Sequence, residues 1–198
     1  GATGRTDGAH IYDRVAELAV NHRARLGNSR LTGADDVQWM SSGRGILHEE
    51  MPRRGPSGNI YGFQLWVNLP AAQKMSQPRY QEVNADSIPS VTKDGATVRV
   101  VAGEFNGTRG PVAEISASPL YMDVRLAPAS RFIFPVPGGH TALAYVFEGR
   151  GKFAGEEIES VKMAVFGDGD QIEVESETGV RFMLIAGAPF GEPIVPYG

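Results

Sequence analysis

The chain contains no cysteine. Disulfides, thiolate-held metals and cysteine nucleophiles are therefore excluded, and any metal must be held by His, Asp or Glu. Histidine is itself scarce: the four stand at positions 10, 22, 48 and 140, and no two are separated by a single residue. No apolar run reaches the roughly 18 residues that a transmembrane helix needs. The opening GATGRTDGAH has no apolar segment of signal-peptide type. A soluble, cytoplasmic protein is the resulting expectation. Positive charge is not in excess either: 19 Lys and Arg stand against 23 Asp and Glu, a net charge of -4. Such a chain offers no positive field to phosphates, so neither nucleic acid nor an anionic membrane is an expected partner. No phosphate loop or Ser-His-Asp arrangement is found. GRG at 43–45 is too short for a dinucleotide fingerprint and no helix follows it.

What is present is alternation. The 198 residues, 41% hydrophobic, suffice for one large domain or two small ones of roughly 100 residues each. YMDVRLA at 121–127 sets Met122, Val124 and Leu126 against Tyr121, Asp123 and Arg125. QIEVES at 171–176 and YGFQLWVNL at 61–69 alternate in the same way, and VRFMLIAG at 180–187 reads as a buried strand. Period-two segments separated by Gly, Pro and Asp predict an antiparallel, all-β architecture. Turns are predicted at LGNS 26–29, PGGH 137–140, EGRG 148–151 and GDGD 167–170. Helix is limited to one turn at PAAQKM 70–75, while DRVAELAV at 13–20 has both helical and strand character. The polar stretch SIPSVTKDG marks a boundary near 87–94, with a new series of strands from 97.

The segment DDVQWMSSGRGILHEEMP, 35–52, carries the clearest chemistry. Gly43 and Gly45 lead into a short strand that contains His48 and Glu50. Residues two apart on a strand share a face, so His48 and Glu50 can act together while Glu49 turns away. An imidazole and a carboxylate are half of a typical first-row metal site, which needs three or four protein ligands.

Several long stretches together resemble the pirin family. They are VQWMSSGRGILHEEMP, then QLWVNLPAAQKMSQPRYQ at 64–81, YMDVRLAPASRFIFPVPGGHTALAYVFEGRGKF at 121–153, FGDGDQIEV at 166–174 and LIAGAPFGEPIVPYG at 184–198. The resemblance implies two tandem cupin (jelly-roll) β-barrels, residues 1–90 and 91–198, the first of them incomplete. It implies one metal in the first barrel, Fe(II) or another divalent ion. An H-x-H pair and a later His and Glu would hold it, and the later pair falls on His48 and Glu50. The activity implied is that of a quercetin 2,3-dioxygenase. A flavonol-like aromatic substrate would bind through its 3-hydroxyl and keto oxygens, and Glu50 would take the hydroxyl proton. Some members are co-regulators, which implies a protein partner instead.

The chain departs from the pattern in one respect that bears on function. Counting back from His22 places the H-x-H pair near Gly4 to Thr6, where GRTDG stands. Asp35 replaces the glycine of the usual G-D turn. The chain is expected to be a trimmed or diverged pirin, incomplete at both ends. Three readings follow: a dioxygenase with a substitute ligand (His10 or His22), an inactive binding module, or a non-functional copy. His22 is otherwise a surface residue or one that supports a ligand without binding the metal. His140 reads as a satisfied structural histidine, Trp39 and Trp66 as core residues or as lining of the first barrel's cavity, and Glu156, Glu157 and Glu159 as solvated.

Overall fold

The computed structural model describes residues 2–6, 9–13, 19–24, 29–53 and 62–193, with side chains described for 33–47 and 62–193. The chain divides into two compact units, Gly1–Ser87 with Gly191–Gly198, and Ile88–Phe190. Both are antiparallel β-structures. Among the described residues there is no α-helix, only short 3-10 turns at Ala71–Gln73 and Ala85–Ser87. No helix there is long and apolar enough to cross a membrane.

The first unit contains β1 (Ala2–Thr6), β2 (Ala9–Asp13), β3 (Ala19–Ala24), β4 (Ser29–Thr32), β5 (Val37–Ser41), β6 (Ile46–Arg53), β7 (Phe63–Val67) and β8 (Arg79–Val83). They form two four-stranded sheets, ordered β1-β6-β3-β4 and β7-β2-β5-β8. The ambiguous stretch at 13–20 lies largely outside the described residues, as does most of the LGNS turn. The single turn predicted at 70–75 is the 3-10 turn at Ala71–Gln73.

The second unit runs β9 (Ser90–Lys93), β10 (Ala96–Ala102), β11 (Glu104–Phe105), β12 (Thr108–Arg109), β13 (Leu120–Leu126), β14 (Ser130–Pro135), β15 (Thr141–Phe153), β16 (Glu156–Glu159), β17 (Lys162–Val165), β18 (Gln171–Ser176) and β19 (Val180–Gly187). One curled sheet has the order β14-β18-β15-β19-β13-β10-β9, and β16 and β17 also pair with β15. The polar boundary stretch is partly strand: β9 closes onto β10 through Asp94 and Gly95, the two-residue turn that hairpins favour.

EGRG is not a turn. It lies inside β15, where the register against β19 shifts between Val146 and Glu148. Gly149 has φ +73, and a Cβ there would come within 2.3 Å of the Gly179 carbonyl oxygen. The glycine serves close backbone approach just past the bulge rather than chain reversal.

Alternation builds the core of this unit. Val98, Val100, Met122, Val124, Phe182 and Leu184 belong to one buried cluster. The opposite face of β13 and β19 is also partly buried, with Tyr121 and Met183 each 1% exposed. A polar group there must be paired. Arg181 donates to both carboxylate oxygens of Asp123, at 2.9 and 2.5 Å, and to Glu148 at 3.0 Å. Its guanidinium carbon also lies 5.0 Å from the centroid of the Phe147 ring. Burial alone would pull the Arg181 pKa down; hydrogen bonds and charge from Asp123, then Glu148, outweigh it and hold the group firmly protonated. Asp123→Ala leaves this buried cation without its main partner, and is expected to cost about 3–5 kcal/mol in urea unfolding. Asp123→Asn, which keeps one acceptor, is expected to cost less.

Candidate functional site

Strand β6 is entered through a tightly fixed turn. The Gly45 amide donates to the Ser42 carbonyl and the Arg44 amide to the Ser76 carbonyl, both at 2.9 Å. Gly43 lies against that same carbonyl in the left-handed region, φ +50, and a Cβ would sit 2.2 Å from the Ser76 oxygen. Only glycine meets both demands. At the other end of β5, Asp36 accepts from the Gly33 amide at 2.7 Å and from the Ala85 amide at 2.8 Å. Asp35, standing where the resemblance leads one to expect glycine, has φ 59. Aspartate is among the few residues that adopt this conformation at modest cost.

The frame fixes the register of β6. Its neighbours are β1, with Gly4 opposite His48 and Thr6 opposite Ile46, and β3, with His22 opposite Glu50 and Ala24 opposite His48. Residues directly opposite in an antiparallel pair stand on one face, as do residues two apart on a strand. His48, Glu50 and His22 therefore share one face of the sheet. His10 does not join them: it lies on β2 in the other sheet, opposite Met40 and Trp66. The side chains of these histidines and of Glu50 lie outside the described set. Among the described residues no group of three or more His, Asp or Glu could hold a metal.

Two imidazoles and one carboxylate on a sheet face are a donor set that suits a divalent first-row metal and leaves positions open. By residue type these three would offer a metal three protein donors rather than four, because Gly4 and Thr6 bring no imidazole. In the sequence His22 reads as a surface residue or, as an alternative to His10, as a substitute ligand. Its position opposite Glu50 is a property of strand pairing, and no local motif announces it.

The tryptophans part company. Trp39 is fully buried, and its indole nitrogen has no partner among the described residues. Trp66 is 61% exposed, which corrects its reading as core. Alternation explains the difference, since Trp66 shares its face of β7 with the exposed Gln64. Glu156, Glu157 and Glu159 are exposed as expected, although they lie on β16. Nδ1 of His140 is buried and has no hydrogen-bond partner among the described residues, which corrects the reading of His140 as a satisfied structural histidine.

Two family models match this chain: Pirin over residues 7–67 and the Pirin C-terminal cupin domain over 121–198. A pirin-like protein of Caulobacter vibrioides is 40% identical over 186 residues, covering 93% of this chain. The chain spans 67% of that relative's length, and 62–63% of several others. A crystal structure of quercetin 2,3-dioxygenase from Acinetobacter baumannii superposes with a TM-score of 0.88 at 30% identity, covering all of this chain and 70% of that one. A bacterial pirin from Escherichia coli, solved in complex with nickel(II), gives a TM-score of 0.75 over 95% of this chain and 76% of its own. At 17% identity that last likeness shows the fold alone.

Gly43→Ala is expected to push the Ser76 carbonyl away and lower the stability of the first unit by about 1–3 kcal/mol. Thermal unfolding followed by tryptophan fluorescence reports it, because both tryptophans lie in that unit.

Proposed function

This chain belongs to the pirin family, and on that premise we propose that its first cupin unit holds one divalent metal, Fe(II) or a similar ion, through His48 and Glu50. The activity proposed is that of a quercetin 2,3-dioxygenase-type oxidoreductase. The observation that carries the proposal is the β6 register, which sets His48 and Glu50 two residues apart with His22 opposite Glu50. His22 is the natural third donor.

Bound there, a divalent metal would act as a Lewis acid and favour the ionised form of a coordinated hydroxyl. The chain's own residues do the rest. Neutral His48 and His22 would supply nitrogen donors, and Glu50 would supply an oxygen donor and a base within reach of a flavonol hydroxyl proton.

A second reading has its own observation. Gly4 and Thr6 face β6 from β1, where the resemblance implies an imidazole pair. A site that lacks those donors suits a catalytically inactive pirin-like module that binds a protein partner.

Elemental analysis and calorimetric titration of the purified protein with Fe(II) under anaerobic conditions separate the two. The enzyme reading expects near-stoichiometric metal in the wild type. It also expects affinity to fall by about tenfold or more in His48→Ala, Glu50→Ala and His22→Ala, with quercetin turnover lost in the first two. Metal at background in the wild type would sink it and leave the binding module. Full retention in His22→Ala alone would remove His22 from the donor set.

A further inference from the structure

β16 and β17 follow one another along the same neighbour, β15, and among the described residues neither pairs with any other strand. Their outer edge is open. The backbone groups that line it can be named. The Phe166 amide donates to the Ala142 carbonyl at 3.0 Å, and the Val161 amide to the Val146 carbonyl at 2.9 Å. Hydrogen-bonded pairs alternate along an antiparallel ladder, so Ala164 and Lys162, opposite Ala144 and Val146, bond to β15. Met163 and Val165 therefore turn their N–H and C=O groups toward the open edge.

The side chains beside that edge are apolar and uncovered. Val161 is 75% exposed, Met163 53% and Val165 68%. Leu143 and Tyr145, half-buried, lie opposite Val165 and Met163 and continue the same surface onto β15. Exposed apolar residues grouped in this way mark an interaction site more often than scattered ones do. Val161 also has φ 66, a conformation that strains a β-branched residue. Folding alone would favour glycine or asparagine there.

Open edges are normally blunted by lysine, by proline or by a covering segment. The one lysine of β17, Lys162, is engaged by Glu159 at 2.7 Å. No proline stands between 156 and 165.

Charge selects the partner. Residues 156–170 carry five carboxylates and a single lysine. Glu156 and Glu157 precede the apolar stretch, and Asp168 and Asp170 follow it. All four are exposed and make no ion pair among the described residues. An incoming strand thus meets carboxylates at both ends, whichever way it runs. A second copy of this edge would set acid against acid in either direction, which is unfavourable. A segment with basic ends would find opposite charge at each of them.

We propose that the β17 edge is a docking site for an extended segment of a partner protein, with alternating apolar residues and Lys or Arg at both ends. The segment adds to the sheet as a further strand. Its backbone bonds to Met163 and Val165, its apolar side chains cover Val161, Met163 and Val165, and its basic ends lie near Glu157 and Asp168. The site belongs to the second unit and stands with or without metal in the first.

The test is calorimetric titration of the whole chain with a synthetic peptide in which valine alternates with threonine between two lysines at each end. The control peptide has glutamates in place of the lysines. Saturable one-site binding of the basic peptide is expected, weakening as salt is raised, with the acidic peptide bound at least about tenfold more weakly. Met163→Pro removes an amide that points away from β15, so it should leave the melting temperature nearly unchanged and abolish binding. Val165→Lys, at a position tolerant of change, should weaken binding about tenfold or more and decides the matter if Met163→Pro does not fold. Val161→Gly should keep or raise the melting temperature while weakening binding. His48→Ala should bind like the wild type, whatever becomes of the metal site. Absence of saturable binding, equal binding of the two peptides, or full binding by Val165→Lys or by folded Met163→Pro would each overturn the proposal. So would a dimer in sedimentation that Val165→Lys dissociates, which would assign the edge to a second copy of this chain.

Discussion

Strand β19 has neighbours on both edges, β13 and β15, and must satisfy a different requirement on each face. Its even-numbered residues, Val180 to Ala186, enter the hydrophobic cluster. Its odd-numbered face carries Arg181 and the buried Met183. A strand held on both edges cannot slip by one residue without exchanging these faces, which would drive Arg181 into the core and Phe182 out of it. The bidentate pairing of Arg181 with Asp123 adds a second lock on the same register, since the two residues lie on adjacent strands. The register of β15 against β19 shifts between Val146 and Glu148, a bulge that accommodates this one alignment.

The first unit obeys the same rule at its β6 strand. With β1 on one edge and β3 on the other, each residue of β6 acquires fixed opposites. Function at this site is therefore a question of which side chains the ladder sets across from His48 and Glu50. On one edge it sets glycine and alanine, which donate nothing. On the other it sets a histidine. The family pattern and this chain agree on β6 itself and differ on its neighbour β1, so the two proposed readings, dioxygenase and inactive module, differ in the number of donors that the ladder supplies.

The sequence by itself determined the all-β class, the family, and the shared face of His48 and Glu50. Each of these depends on local order: a period of two, turn residues between strands, and long contiguous motifs. It also indicated that Gly43 and Gly45 lead into β6. Only the tertiary structure decided that EGRG runs through β15, that Trp66 is exposed while Trp39 is buried, that His22 stands opposite Glu50, and that Nδ1 of His140 lacks a partner. These outcomes depend on which strands become neighbours, and hydrogen-bond pairing between strands distant along the chain is set by the packing of the whole sheet. A segment read alone reveals its own alternation, but not what will lie across from it.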